Sequence, residues 1–142
     1  MLAGLFSIIG ADMKLTDIDT VKGSDEGAVI DLRHPATGEK LDMWIKVAGP
    51  DSKLAKRRQA EIRRKMRGQK AGKIDLEMWE AEALETRVAV TLDWGGIEFD
   101  EPLECTPENV RMVYSDFPWV AEQVDEFQAD RGNFIAKATT AP

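Results

Sequence analysis

Residues 28–48 decide the fold of this chain and read Ala-Val-Ile-Asp-Leu-Arg-His-Pro-Ala-Thr-Gly-Glu-Lys-Leu-Asp-Met-Trp-Ile-Lys-Val-Ala. The first six residues are rich in strand formers, and Pro35 and Gly38 then bracket a turn. Apolar and polar residues alternate over residues 41–48, which is typical of a strand with one buried face. The stretch therefore predicts a β-hairpin, with His34 as a residue of its turn.

Two charged helices are predicted after the hairpin. Asp51 or Ser52 can cap the first, which should run to about residue 69, and Asp75 can cap the second, from residue 76 to about 94. The first has a narrow apolar stripe, so we expect it to be mostly exposed or to face a partner. The second is the best candidate for a central core helix, although residues 87–92 could form a strand instead. Its apolar residues at helical spacing are Leu76, Trp79, Ala83, Leu84, Val88 and Leu92.

Two further helices are predicted toward the end of the chain. Thr106 can cap one of them, with Pro107 in its first turn. Pro118 restarts the chain as the last helix, because the residue before a proline avoids helical angles. Residues 19–27 are polar and indicate a loop. The sequence thus predicts an α+β fold, a β-hairpin followed by about four α-helices in a single domain.

The 142 residues match the usual length of one domain. We assign residues 17–135 to that domain, residues 1–16 to an apolar N-terminal segment and residues 136–142 to a flexible tail. Residues 1–10 lack the basic residues that open a signal peptide. We expect them to pack on the domain or on a partner, with attachment to a membrane surface as the alternative.

Residue counts argue against several kinds of chemistry. A single cysteine excludes an internal disulfide framework, and a single histidine excludes an all-histidine metal site. No apolar run reaches the roughly 20 residues that a membrane span needs. We therefore expect a cytoplasmic, non-enzymatic protein with no catalytic residues, cofactor or metal ion.

Charge is distributed very unevenly. The net charge is −7, yet residues 53–73 carry ten Lys and Arg side chains and one acid, which leaves −16 on the rest of the chain. This basic segment could pair with the acidic helix that follows it, or it could dock an acidic partner or a second copy of the chain. Nucleic-acid binding is a third interpretation. It is disfavoured because no aromatic residue is interleaved for base stacking and the remainder of the chain repels phosphate.

These patterns nominate two partner-binding surfaces. One is the apolar stripe of the first charged helix with its basic rim. The other comprises aromatic residues of the last helix and its start, because Trp and Phe often anchor interfaces. The candidate residues are Leu54, Arg57, Arg58, Ile62, Arg63, Arg64, Met66, Phe117, Trp119 and Phe127.

An ordered series of motifs covers roughly residues 17–135. It includes Thr-Leu-Asp-Trp-Gly-Gly-Ile at residues 91–97, Leu-Glu-Cys-Thr-Pro-Glu-Asn-Val at 103–110 and Phe-Pro-Trp-Val at 117–120. The series closes with Asp-Arg-Gly-Asn-Phe at residues 130–134. In this order and spacing the chain resembles the tail assembly chaperones of long-tailed bacteriophages and prophages.

The resemblance implies a non-catalytic protein of the host bacterial cytoplasm. Such proteins bind the long, helical tape measure protein, keep it soluble and help to recruit tail tube subunits. Self-association is also expected. Two rival functions remain open: a nucleic-acid-binding accessory protein that uses residues 53–73, and a structural tail or head-completion protein.

Overall fold

The computed structural model describes residues 13–69 and 75–136 and contains three strands and five α-helices. The predictions for residues 1–10 and for the tail beyond residue 136 lie outside these ranges. In chain order the elements are α1 (Thr20–Glu26), β1 (Ala28–Arg33), β2 (Lys40–Val47), α2 (Lys53–Arg67), α3 (Leu76–Val90), β3 (Thr91–Gly95), α4 (Pro107–Asp116) and α5 (Pro118–Ala129), with short 3-10 helices at Leu15–Asp17 and Arg131–Phe134.

The predicted hairpin is present and forms part of a three-stranded antiparallel sheet in the order β1-β2-β3. Ile45 of β2 lies between Ile30 of β1 and Trp94 of β3, which places all three side chains on the core face. In the hairpin turn, the Nδ1 atom of His34 accepts hydrogen bonds from two backbone N–H groups. β3 begins where α3 ends, at residue 91, so the strand that the sequence left as an alternative lies slightly later than expected.

Four α-helices follow the hairpin, and a fifth, α1, precedes it where the sequence indicated a loop. Asp19 caps α1, and Ser24 within it is fully buried. The Ser24 carbonyl accepts a hydrogen bond from the N–H of Gly49 at 3.0 Å, and its Oγ accepts one from Asp51 at 3.3 Å. These long-range contacts stabilise a helix whose local sequence is polar and contains a glycine, which is why the sequence did not reveal it.

The core lies between one face of the sheet and the helices α4 and α5. The helices contribute six buried residues: Val110, Val113, Tyr114, Val120, Ala121 and Val124. The Tyr114 hydroxyl hydrogen-bonds the Thr91 hydroxyl at 2.7 Å and so links α4 to the start of β3. Burial raises the pKa of Tyr114 to about 12, so this hydroxyl stays protonated.

The prediction that a helix from residue 76 to about 94 is the central core helix is wrong, and the observed helix ends at Val90. Leu84 and Val88 pack against the core, but Leu76 is 71% exposed and Trp79 is 50% exposed. An α-helix turns about 100° per residue, so the predicted apolar stripe is too wide to face one direction. Its two halves point to different sides of α3, and only the later half meets the sheet.

We expect Gly23→Ala to destabilise the protein, although alanine favours a helix over glycine elsewhere. An added Cβ would lie 1.7 Å from the carbonyl oxygen of Phe134. The free energy of unfolding, measured in urea, should fall by about 2–3 kcal/mol. Gly68→Ala is the control, because a Cβ there has its nearest contact at 3.7 Å. Equal stability of the two variants would contradict the close packing of α1 on the C-terminal 3-10 helix.

Candidate functional site

The basic helix α2 is fixed to α3 by one nearly buried arginine. Ser52 caps α2, as predicted, by accepting a hydrogen bond from the N–H of Ala55. Arg58 lies one turn further on. Its guanidinium binds Glu82 of α3 at 2.6 Å and Glu61 of α2 at 2.7 Å. Lys65 reaches the other oxygen of Glu82 at 2.7 Å, so that single carboxylate bridges two cations.

Burial distinguishes this ion pair from the other ion pairs within the described ranges. The Arg58 side chain is 11% exposed and that of Glu82 is 14% exposed. Hydrogen bonds from Lys65 and Arg58 outweigh burial and hold the pKa of Glu82 below its usual range. Burial alone would lower the pKa of Arg58, but Glu82 and Glu61 more than compensate and raise it. Arg58 is thus a packing residue between α2 and α3, unlike its neighbours in the sequence.

The other candidate arginines of α2 face solvent. Arg57, Arg63 and Arg64 are exposed and make no ion pair with any residue of the described ranges. Of the candidate apolar residues, Leu54 packs against the small cluster of Ala48, Ala55 and Val90, while Ile62 and Met66 are half-buried. α2 therefore presents a positive outer face, and its apolar side is turned toward the rest of the protein.

A groove of about 300 Å³ runs beside α2, between α3 and α5, and we call it the helical groove. Its apolar lining residues are Ile62 of α2, Trp79, Ala83 and Val90 of α3, and Val124 of α5. Trp79, Ala83 and Val90 are spaced by four and then seven residues, so they share one face of α3. The Nε atom of Arg87 and an Asp125 carboxylate oxygen, 2.8 Å apart, join α3 to α5 at the groove.

A second concavity, which we call the aromatic pocket, has a volume of about 190 Å³. It brings together the candidates Phe117 and Trp119 with Phe99 of the loop after β3. The ring centroids of Phe99 and Phe117 are 5.9 Å apart, a separation typical of an aromatic pair. Phe99 is 51% exposed and Phe117 is 36% exposed, and Glu98 supplies a carboxylate at the rim.

The ten candidate residues therefore do not form one surface. Phe127 lies apart from the others, with its ring packed against Phe134 at a centroid distance of 5.6 Å. It lines a further groove beside β1, separate from both the helical groove and the aromatic pocket. The structure brings together Phe117 and Trp119, and it places Ile62 at the edge of the helical groove.

Two exposed aromatic residues that line these surfaces, Trp79 and Phe99, were not among the candidates. Trp79 was interpreted as a core residue, and Phe99 fell in a segment predicted to be a short extended loop. A signal for Trp79 was present, because the positions four and seven residues later are Ala83 and Thr86, which are too small or too polar to continue a core stripe. No comparable signal exists for Phe99, because its position depends on the fold of the loop.

The described ranges contain no group of three or more His, Cys, Asp or Glu side chains arranged to hold a metal ion. Cys105 is a free, half-buried thiol, and burial together with the charge of Asp93 raises its pKa. Among the helices described, none combines the length and the apolar character that crossing a membrane requires.

Comparisons with protein-family models, with curated proteins and with solved structures find no match to this chain. Its function is therefore inferred from its sequence motifs and from the geometry of its surfaces.

We expect Glu82→Gln to destabilise the protein by about 3 kcal/mol, because it leaves Arg58 largely buried without its main partner. The control is Glu85→Gln. Glu85 binds Arg111 through two bonds of 2.8 Å, but both of these side chains are about 40% exposed, so the loss should stay below about 1 kcal/mol. Chemical denaturation at pH 7 measures both values.

The pH dependence should follow from the lowered pKa of Glu82. The folded protein keeps this carboxylate charged where the unfolded chain would take up a proton. The advantage of the native protein over Glu82→Gln is then complete above about pH 5 and is lost as the pH falls through the lowered pKa. A difference in stability that does not change between pH 7 and pH 3 would contradict this role.

Proposed function

We propose that this protein is a non-catalytic tail assembly chaperone of a long-tailed bacteriophage or prophage. It would bind the tape measure protein in the host cytoplasm, keep it soluble and help to recruit tail tube subunits. The motif series described above supports the assignment to this class. The observation that carries it is the helical groove with the exposed Trp79 beside it, because a protein that shields helices needs an apolar surface of this kind.

The shape and lining of the helical groove suit an amphipathic helix. Helices bind in grooves through apolar side chains on one face, spaced by three or four residues. The groove offers an apolar floor between two helices, and the largely exposed Leu76 extends the apolar surface beyond Trp79. A tape measure helix could bury its apolar stripe in this groove. Left exposed to water, the same stripe would cause aggregation.

Charge next to the groove can set the orientation of such a helix. The exposed arginines of α2 lie on the element that supplies one wall, so an acidic flank on the bound helix would be attracted to them. Interactions of this type are weakened by salt. A complex held partly by exposed charges can therefore be released more easily than one held by apolar contacts alone.

The aromatic pocket is a second surface that a bound tape measure helix would leave free. It shares no lining residue with the helical groove. We assign recruitment of tail tube subunits to this pocket, with Phe117 and Trp119 as its anchors. Self-association of the chaperone stays a prediction.

We expect Trp79→Glu to abolish the solubilising activity. In coexpression with the tape measure protein, this variant should leave the partner in the pellet, because a charge in the apolar groove cannot be solvated by a bound helix. Phe99→Glu is the matched control, since it changes an aromatic residue of equal exposure in the other pocket. Unchanged solubility of the partner with Trp79→Glu would exclude the helical groove as its binding site.

The exposed arginines are tested by the triple variant Arg57→Glu, Arg63→Glu and Arg64→Glu, which spares Arg58. Binding of the tape measure protein should weaken at least tenfold at low salt and much less at high salt. Lys14, Lys22 and Lys40, all exposed, provide a control triple with the same charge change. Equal binding by the two triple variants would exclude a contribution from the basic face.

The same face is what favours the rival nucleic-acid function, since its arginines are free to meet phosphates. That function predicts DNA or RNA binding by the native protein that falls steeply with salt and disappears in the arginine triple variant. A structural tail or head-completion protein would be present in purified virions by mass spectrometry. A chaperone would be absent from them.

A further inference from the structure

The free edge of the sheet at β1 already binds one peptide-like group. Among the described residues β1 pairs with β2 alone, so its other edge has no strand beside it in that part of the chain. At the end of this edge, the side-chain amide of Gln123 accepts a hydrogen bond from the Arg33 N–H at 2.9 Å and donates one to the Arg33 carbonyl at 2.8 Å. A neighbouring strand would make the same two bonds, and Gln123 therefore closes the edge at Arg33.

Residues 13–69 and 75–136 leave the remainder of this edge uncovered. Along a strand, every second residue directs its backbone N–H and C=O groups to the same edge. Val29 and Asp31 therefore present these groups at the same edge as Arg33. Opposite residue 32, the pairing between β1 and β2 is interrupted by extra residues in β2. The backbone groups of β1 therefore keep their regular alternation between its two edges. No side chain or loop within the described ranges bonds these groups from outside the sheet.

A long groove lies directly beside this open edge, and we call it the strand-edge groove. Its wider section has a volume of about 610 Å³ and runs between β1 and α5, from Gln123 to Asn133. A second section of about 510 Å³ continues past the start of β1 to Ile135. Val29, Phe127 and Asn133 line both sections, which shows that they are continuous.

The N-terminal part of the chain is held at one end of this groove. The Asp19 carbonyl accepts a hydrogen bond from the N–H of Ala136 at 3.0 Å, next to the groove residue Ile135. Upstream of Asp19, the apolar side chains of Met13, Leu15 and Ile18 are all more than 40% exposed. The described part of the N-terminal chain is therefore fixed beside the groove at Asp19, and its apolar side chains before that residue are exposed.

The sequence of that preceding chain is suited to an added strand. Residues 5–9 read Leu-Phe-Ser-Ile-Ile, and no charged residue occurs before Asp12. β-branched and aromatic residues favour strands. Five extended residues span about 17 Å, which is close to the length of β1. Residues 10–18, of which Leu15–Asp17 form a 3-10 helix with a shorter rise, can reach up to about 26 Å.

We propose that residues 5–9 of the same chain bind in the strand-edge groove as a fourth strand, antiparallel to β1. The direction follows from the attachment point, because a segment that leads into the Ala28 end of the groove must run from the Arg33 end. Its backbone bonds the open groups of Val29 and Asp31, and its apolar side chains cover Phe127. The added strand protects an edge that would otherwise pair with other chains. This inference is independent of the proposed function.

Hydrogen exchange of the full chain, read by NMR at single amides, tests the proposal. The Val29 and Asp31 amides should be protected in the native protein. The double variant Ser7→Pro and Ile8→Pro should raise both exchange rates at least tenfold. Successive residues of a strand direct their N–H groups to opposite edges, so two adjacent prolines remove an N–H that faces β1 in either register. Leu2→Pro with Ala3→Pro is the control and should leave the rates within about twofold. Unchanged protection of Ile45 shows that the fold is intact.

Two results would overturn the proposal. One is fast exchange of Val29 and Asp31 in the native protein, or equal protection in both proline variants, since the edge would then not be covered by residues 5–9. The other is protection that increases with protein concentration together with a dimer in light scattering. That result would assign the strand to a second copy and exclude the intrachain contact.

Discussion

The arrangement of the helices depends on the ion pair between Arg58 and Glu82. α2 carries an apolar stripe too narrow to hold it against α3 by burial alone, and it is rich in like charges that repel one another. The carboxylate of Glu82 neutralises two of those charges at once and directs the apolar side of α2 inward. The wall that Ile62 gives to the helical groove and the outward direction of the remaining arginines both follow from this contact.

The core imposes the second constraint. One face of the three-stranded sheet carries the buried apolar residues, and α4 and α5 supply most of the helical side chains that cover it. α3 therefore contacts the core only through its later turns, and its first turns project Leu76 and Trp79 into solvent. An exposed tryptophan beside a groove has little value for stability. The exposure of Trp79 is explained if another molecule covers this surface when the protein is in a complex.

Local signals in the sequence predicted the hairpin and the helix caps at Asp75 and Thr106, and they offered Ser52 as one of two caps for α2. These features depend on a few neighbouring residues, so short-range patterns are enough to reveal them. α1 was missed because Ser24 and Gly23 are fixed by residues 25 to 111 positions away. The face of α3 that meets the core was likewise decided by contacts that no local pattern records.

The candidate residues show the same division. An arginine that pairs inside the protein and one that faces solvent look alike in a run of basic residues, so Arg58 could not be separated from Arg57. The helical groove is built from three helices and the aromatic pocket from strands, a loop and two helices. Their positions depend on the assembled fold, and among the candidates only Ile62 and the aromatic residues around Pro118 lie on them.

The most direct measurement is an NMR titration of the full, methyl-labelled chain with a soluble helical fragment of the tape measure protein. If the helical groove binds that helix, the methyl signals of Ile62, Ala83 and Val90 should shift and saturate together, while that of Ile30 under the sheet stays unchanged. Saturable binding that leaves these three signals in place, or no binding at all, would contradict the assignment of the groove.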